Sequence, residues 1–462
     1  MTKPRTLVST AQKAIPLHLV DEDSFPSWLK AQSTEARTWV DSNGFAPKAG
    51  HRLMVPGKGG TLALAVCGMA SPPEHWDFAA LPAALPNGTY RLAGSVGAAL
   101  ASKVALGWAL GGYAFTRYGN GKGKEYSRLV WPSRADRGHV SRTYTAIALV
   151  RDLITTPAAD LGPEELATAA REVARSGGAK CRVIVGDALL KRNYPMIHAV
   201  GRASLRQPRL IDLSWGPARA PKVTLVGKGV CFDTGGLDLK LPAGMALMKK
   251  DMGGAAVALG LAQMIMDAKL KVRLRVLIPA VENSVSANSF RPGDVLKSRK
   301  GITVEIGNTD AEGRLILADA LAEADTEKPE LLFDFATLTG AARIAVGPDL
   351  AALFTHDDKL AVDLSRLGAT VSDPVWRLPL WQPYKRLIRA KVGDINNAGE
   401  GRMAGAITAA LFLDRFVERA SAWAHFDIYG WSPRSLPGRP EGGEAQAMRA
   451  VFALLAERYP AS

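Results

Sequence analysis

The stretch Lys222–Gly236 reads KVTLVGKGVCFDTGG, and it indicates how the larger part of the chain folds. It opens with an apolar run typical of a buried strand and continues into glycines, which permit unusual backbone angles and close backbone approach. Lys228 and Asp233 follow this strand at its carboxyl end, where open α/β sheets bind their ligands. The stretch therefore predicts one strand of a parallel sheet with chemistry at its edge.

Further strand-like and helical runs alternate on both sides of this stretch. The strand-like runs are Arg182–Gly186, Arg209–Trp215, Lys222–Val226, Val272–Pro279, Leu331–Thr337 and Ala424–Tyr429. The helical runs are Gly254–Asp267, Leu315–Ala324, Ala404–Arg419 and Glu444–Arg458. Such alternation predicts an α/β fold with a mostly parallel, doubly wound sheet covered by helices on both faces.

The 462-residue length favours two domains. We expect a smaller N-terminal α/β domain with a connecting segment over residues 1–138, and a larger domain over residues 139–462. The Ala/Gly/Leu-rich run Leu92–Ala114 predicts a helical hairpin or buried core, and the run from Arg137 to Ile154 predicts a connecting helix that stops before Pro157.

Composition narrows the class of protein. Hydrophobic residues make up 47% of the chain and charged residues 22%, as in globular proteins. No run approaches the ~20 apolar residues of a membrane span, and the start lacks a secretory signal pattern, so we expect a cytoplasmic protein without a membrane partner. The three cysteines have spacings that suggest neither a disulfide framework nor a metal site.

The net charge of +14 raises the question of a nucleic-acid partner. The basic residues are spread along the chain, and the densest clusters, Gly119–Lys124 and Lys297–Lys300, are short and lack interleaved aromatic residues. Solubility therefore explains the charge better than nucleic-acid binding.

Carboxylates recur at the predicted strand ends. Asp251 precedes the helix that starts at the paired glycines of KKDMGGAA, and Asp310 and Glu312 lie in NTDAEGRL, between a strand and the next helix. Together with Asp233 these acids would repel one another unless cations were present, and two divalent ions would supply the charge. Carboxylates suit Mg, Mn or Zn, and all seven histidines lie outside these motifs. Each acid taken alone could equally be a helix cap or an ion-pair partner.

The sequence NTDAEGRL at Asn308–Leu315 resembles the signature of the leucyl (cytosol) aminopeptidase family. The resemblance covers most of residues 145–440. It extends through VGKGVCFDTGG, KKDMGGAA, RPGDVL at Arg291–Leu296, ATLTGA at Ala336–Ala341 and WAHFDI at Trp423–Ile428.

The resemblance implies a catalytic domain over residues 139–462 that hydrolyses the N-terminal residue of short peptides with a hydroxide bridging two metal ions. The implied ligands of the tightly bound ion are Lys228, Asp233, Asp251 and Glu312; those of the exchangeable ion are Asp233, Asp310 and Glu312. The ions would be Zn or Mn, with Mg or Co as alternatives at the exchangeable site. Lys240 would polarise the scissile carbonyl, and Arg314 would hold a bicarbonate that acts as general base.

The resemblance also implies a side-chain pocket formed by Met248, Thr337, Gly340 and Tyr429. Tyr429 stands where leucine-preferring members commonly have alanine, so we expect a leucine-like but broad preference. The family further implies a homohexamer.

Two other functions remain open at this point. A DNA-binding regulatory role on the same scaffold has the charge of +14 as its support. A two-metal phosphoester hydrolase would use the same kind of carboxylate centre.

Overall fold

The structure, a computed structural model, describes residues 4–119, 125–401 and 403–461, so most of the basic cluster Gly119–Lys124 lies outside the described residues. The chain divides into two compact units. One comprises residues 1–148 with 434–441, and the other comprises residues 149–433 with 442–462. The domain boundary near residue 138 stays a prediction. None of the helices in the described ranges combines the length and apolar character needed to cross a bilayer.

The first unit contains a six-stranded sheet in the order β1-β6-β5-β2-β4-β3, in which only the β3–β4 pair is antiparallel. Its strands are β1 Leu7–Val8, β2 Ile15–Val20, β3 Arg52–Pro56, β4 Leu62–Gly68, β5 Thr89–Leu92 and β6 Arg128–Val130. Its helices are α1 Phe25–Lys30, α2 Thr34–Ser42, α3 Leu81–Ala84 and α4 Ala98–Gly111, with 3-10 turns at Lys58–Gly60 and His75–Phe78. The predicted smaller α/β domain is thus confirmed.

Within the run Leu92–Ala114, residues Ala98–Gly111 form the single helix α4, so the predicted hairpin is wrong. The predicted buried core is confirmed, because Ala101 and the residues from Val104 to Leu110 are buried. The small residues of α4 serve close packing: a Cβ at Gly107 would lie 2.0 Å from the carbonyl oxygen of His75, and one at Gly111 would lie 2.0 Å from that of Ala79. Helix α5 follows at Arg137–Thr155, one residue longer than predicted.

The second unit is built on a nine-stranded sheet in the order β16-β15-β18-β14-β9-β11-β8-β7, with β10 paired to β11. The strands after β6 are β7 Lys180–Val185, β8 Arg209–Trp215, β9 Lys222–Gly227, β10 Gly229–Asp233, β11 Arg273–Asn283, β12 Val295–Lys297, β13 Thr303–Glu305, β14 Leu331–Ala336, β15 Ala351–Thr355, β16 Val375–Arg377, β17 Ile395–Asn396, β18 Ala422–Asp427, β19 Trp431–Ser432 and β20 Gly442–Gly443. The central strands β11, β9, β14 and β18 run parallel, which confirms the mostly parallel sheet.

Helices pack on this sheet in two groups. The helices after α5 are α6 Pro163–Gly177, α7 Ala188–Lys191, α8 Pro195–Gly201, α9 Pro242–Met245, α10 Gly253–Asp267, α11 Glu312–Thr326, α12 Gly340–Val346, α13 Asp358–Thr370, α14 Gly405–Asp414 and α15 Met448–Arg458, with 3-10 turns at Met248–Lys250 and Gln382–Ile388. One group is α8, α11 and α14, and the other is α6, α10, α13 and α15. Helices α10 and α11 both pack on β9, so the central strand is buried along its length.

The predicted helix Ala404–Arg419 is too long, because α14 ends at Asp414. The buried carboxylate of Asp325 accepts hydrogen bonds from the backbone N–H groups of Glu418, Arg419 and Ala420, at 3.1, 2.8 and 2.8 Å. The apolar pattern continues past the true end, but a side chain distant in sequence satisfies the backbone there.

We expect the substitution Asp325→Ala to lower the free energy of unfolding by about 2–4 kcal/mol, because three backbone donors lose a charged acceptor. Urea denaturation of the full chain measures the change. Asp187→Ala is the control, since that side chain is 89% exposed and should matter by less than about 0.5 kcal/mol. Equal denaturation midpoints for the two variants would contradict this role.

Candidate metal centre

The predicted site residues meet at the carboxyl edge of the central strands. Lys228 follows β9, Asp233 ends β10, and Glu312 begins α11, while Asp251 stands two residues before α10. A cavity of about 710 Å³ opens at this edge. Its walls include Lys228, Asp233, Lys240, Met248, Asp251, Asp310, Arg314, Thr337, Gly340 and Tyr429. Glu312 joins them through an ion pair with Lys228.

Lys228 is held by three oxygens from different segments. Its Nζ lies 2.8 Å from Asp251 Oδ2 and 2.9 Å from Glu312 Oε1, and it donates to the carbonyl of Thr337 at 2.9 Å. Burial by itself would lower the pKa of this ammonium, but the surrounding carboxylates raise it above its ordinary value. Lys228 is therefore a cation in this arrangement.

Lys240 pairs with the other two acids. Its Nζ lies 2.9 Å from Asp233 Oδ2 and also contacts Asp310 Oδ1. Burial opposes its charge, but Asp233 and the neighbouring acids raise its pKa. The side chain is 16% exposed and faces the cavity, whereas Lys228 is 3% exposed, so Lys240 is the more accessible of these two lysines to a ligand in the cavity.

The acids outnumber these two lysines by four to two. Burial, followed by the nearby Asp233, raises the pKa of Asp310 to about 6. Burial also raises the pKa values of Asp251 and Glu312. Carboxylate oxygens of Asp233, Asp310 and Glu312 all lie within 4.8 Å of one another. Such a cluster of carboxylate oxygens provides the ligands that divalent cations prefer.

Asn283 and Thr309 support the cluster by hydrogen bonds and were not predicted as site residues from the sequence. Asn283, at the end of β11, donates from Nδ2 to Asp233 Oδ1 at 2.9 Å and to the carbonyl of Thr309 at 3.1 Å. The hydroxyl of Thr309 donates to the carbonyl of Gly235 at 2.6 Å and accepts from the N–H of Asp238 at 2.8 Å. The signal for Asn283 was its place at the end of a strand next to the one bearing Asp233.

Arg314 lies two residues after Glu312 in α11 and is buried. Its Nη1 donates to the carbonyl of Asn397 at 2.6 Å, and its Nε has no hydrogen-bond partner within the described ranges. Burial lowers its pKa to about 10, so it stays charged at neutral pH. A buried cation with an unused N–H at the cavity wall suits an anion.

Two further residues of the cavity wall, Lys250 and Arg343, were not predicted from the sequence motifs. Lys250 donates from Nζ to the carbonyl of Tyr429 at 2.8 Å, and burial lowers its pKa to about 8. Arg343, from α12, also lines the cavity and lies over the Tyr429 ring.

Glycines set how closely these segments approach. A Cβ at Gly313 would lie 2.4 Å from Cε of Lys228, so only glycine leaves room for that lysine to run past α11. A Cβ at Gly254 would lie 2.0 Å from the carbonyl oxygen of Phe335 in β14. The spacing of the motif glycines therefore follows from backbone contacts around the acids.

The two-unit α/β fold and the lysine–carboxylate cluster at the sheet edge define the class as α/β proteins with a centre suited to divalent cations. The catalytic domain of the cytosol aminopeptidase family matches residues 148–452. The M17 aminopeptidase N-terminal domain matches residues 15–132, a region where the motifs had shown no resemblance. The chain belongs to the cytosol aminopeptidase family, whose members are metal-dependent aminopeptidases.

Individual relatives agree with this membership. A probable cytosol aminopeptidase of Syntrophotalea carbinolica is 44% identical over 313 residues, a segment that covers 67% of this chain and 63% of the relative. The crystal structure of a cytosol aminopeptidase from Coxiella burnetii has a TM-score of 0.93 at 49% identity, covering 98% of this chain and 99% of the other. The bottromycin maturation enzyme BotP in complex with Mn has a TM-score of 0.85 at 32% identity, covering 97% and 100%.

We expect Gly254→Ala to destabilise the second unit by about 3 kcal/mol or more, because the added methyl group collides with the backbone of β14. Thermal and urea unfolding would measure the loss. The matched control is Gly244→Ala, an exposed position where a Cβ meets no atom within 4 Å. That variant should be neutral or gain up to about 1 kcal/mol from helix propensity. A stable Gly254→Ala protein would refute the close approach.

Proposed function

We propose that this chain removes the N-terminal residue from short peptides as a metal-dependent aminopeptidase. The observation that carries the proposal is the convergence of Lys228 and four carboxylates on one cavity that Lys240 and Arg314 also line. The family membership supports the same activity.

The proposed ligands are Lys228, Asp233, Asp251 and Glu312 for a tightly bound ion, and Asp233, Asp310 and Glu312 for an exchangeable one. Bound divalent ions would polarise the scissile carbonyl and lower the pKa of a water molecule toward neutrality. We propose Zn or Mn, with Mg or Co as alternatives at the exchangeable position; the structure of BotP is a complex with Mn. Lys228 would have to lose its proton to act as a ligand, so ion binding should weaken as the pH falls.

Lys240 would act directly on the substrate. Its raised pKa keeps a positive charge at the cavity surface, where it would stabilise negative charge developing on the carbonyl oxygen. Arg314 would hold a bicarbonate near its unused Nε–H, and that anion would accept a proton in the reaction.

Cleavage would be confined to the first residue by Asp251. Its Oδ1 accepts a hydrogen bond from Thr337 at 2.8 Å, and its carboxylate lies on the cavity wall, where a substrate α-amine would bind. Met248, Thr337, Gly340 and Tyr429 would then surround the first side chain. Relatives named for aminopeptidase activity support neither the DNA-binding role nor the phosphoester hydrolase.

We also propose a homohexamer and a cytosolic location, in keeping with relatives named cytosol aminopeptidases. Light scattering of the purified chain should give the mass of six copies. The mass of a single chain would refute the assembly and leave the activity to be judged separately.

The purified chain loaded with Mn should release p-nitroaniline from an aminoacyl p-nitroanilide series that includes leucine. Removal of ions by a chelator should abolish turnover, because no ion would remain to polarise the scissile carbonyl or to activate water. Added Mn should restore turnover. An N-acetylated substrate is the control and should not be cleaved. Failure to cleave any free-amine substrate with Mn, Zn, Mg or Co would refute the proposed activity.

Substitution of Lys240 and Asp233 should separate catalysis from ion binding. Lys240→Met should lower kcat by about 10²–10³-fold while leaving the metal content unchanged or higher, because it removes an oxyanion stabiliser and not a ligand. Asp233→Asn should lose bound metal. Metal analysis and steady-state kinetics on the same preparations measure both effects, and metal loss in Lys240→Met would contradict the assignment.

A further inference from the structure

Two cations in the cavity wall lie over one aromatic ring. Lys250 Nζ lies 4.7 Å from the centroid of the Tyr429 ring, and Arg343 Cζ lies 5.4 Å from it. Lys250 comes from the 3-10 turn Met248–Lys250, Arg343 comes from α12, and Tyr429 follows β18. All three line the cavity that contains the carboxylate cluster. We call Lys250, Tyr429 and Arg343 the basic wall.

The basic wall lacks the direct ion pairs that the two lysines of the carboxylate cluster have. Lys228 and Lys240 each contact two carboxylates. Within the described ranges, neither Lys250 nor Arg343 lies within 4.0 Å of a carboxylate oxygen. Their described contacts are the Tyr429 ring and, for Lys250, the carbonyl of Tyr429.

This imbalance has an energetic consequence. Lys250 is only 6% exposed, and a buried ammonium is costly unless an anion or several acceptors compensate it. A carbonyl and a ring face offer partial compensation, whereas a carboxylate entering the cavity would complete it. Arg343 is exposed and can adjust its planar guanidinium to such a group.

The basic wall also stands where a first side chain would lie. Lys250 immediately precedes Asp251, beside which the substrate amine is placed in the proposed function, and Tyr429 belongs to the proposed side-chain pocket. A side chain directed away from Asp251 into that pocket would therefore approach Lys250 and Arg343. A leucine there would form no ion pair with either cation.

We propose that the preferred substrates are peptides whose N-terminal residue has a carboxylate side chain, glutamate or aspartate, with Lys250 and Arg343 as the specificity-determining residues. This inference rests on the proposed function. It narrows the leucine-like but broad preference that the family resemblance implied.

The test compares α-glutamyl, glutaminyl and leucyl p-nitroanilides with the Mn-loaded wild-type chain. Glutamyl and glutaminyl groups have nearly the same size, so their kcat/KM ratio isolates the charge. We expect the ratio to favour glutamyl by about tenfold or more, as charge complementarity in a partly buried site allows. Arg343→Met should lower this ratio about tenfold.

Lys249→Met provides the matched control. Lys249 donates to the carbonyl of Thr155 at 2.7 Å and lies over the Trp431 ring, but it is not part of the cavity wall. This variant removes the same charge one residue away and should keep the wild-type ratio. Lys250→Met should behave like Arg343→Met; because Arg343 is exposed, its variant remains informative if Lys250→Met does not fold.

A preference for glutamyl over glutaminyl substrate that Arg343→Met abolishes and Lys249→Met preserves would support the proposal. Leucyl turnover with a glutaminyl preference, or a glutamyl preference untouched by Arg343→Met and Lys250→Met, would overturn it while the aminopeptidase activity stands. A charge effect seen only with glutamate at the second position of a dipeptide would overturn the assignment to the first side chain. Absence of turnover with every substrate would remove both proposals.

Discussion

The excess of buried negative charge at the carboxyl edge of the central sheet is the constraint around which the larger unit is organised. Asp233, Asp251, Asp310 and Glu312 come from three segments, and the two lysines that form ion pairs with them supply half as many charges. Burial raises the pKa values of three of these acids, so their proximity is costly without a cation. A folded chain that maintains such a cluster is suited to hold ions there.

The backbone geometry around the cluster brings the four acids close together. Strands β9, β10 and β14 end at the same edge, and helices α10 and α11 begin there, so short connections deliver side chains to a common volume. Glycines remove the side chains that would keep the segments apart, as at Gly254 against β14 and Gly313 against Lys228. Asn283 then fixes the orientation of Asp233 by a hydrogen bond.

The cavity wall contains two groups of cations that differ in their contacts. Lys228 and Lys240 form ion pairs with acids, and this arrangement fits the chemistry of the family. Lys250 and Arg343 instead lie over the ring of Tyr429. In the proposed function, reaction type and side-chain preference would be set by different residues of the same cavity.

The sequence by itself determined the parallel α/β class, the strand at Lys222, and the family, because apolar periodicity and the motif NTDAEGRL are local in the chain. It also selected Lys228, Lys240, Arg314 and the four acids. Tertiary structure decided which lysine pairs with which acids, where α14 ends beside Asp325, and that Lys250 and Arg343 meet at Tyr429. The lysine–acid pairs depend on side-chain directions, and the contacts of Asp325 and of Lys250 with Tyr429 join residues about 90 to 180 positions apart. Both depend on the packing of segments in three dimensions, which a local sequence pattern does not specify.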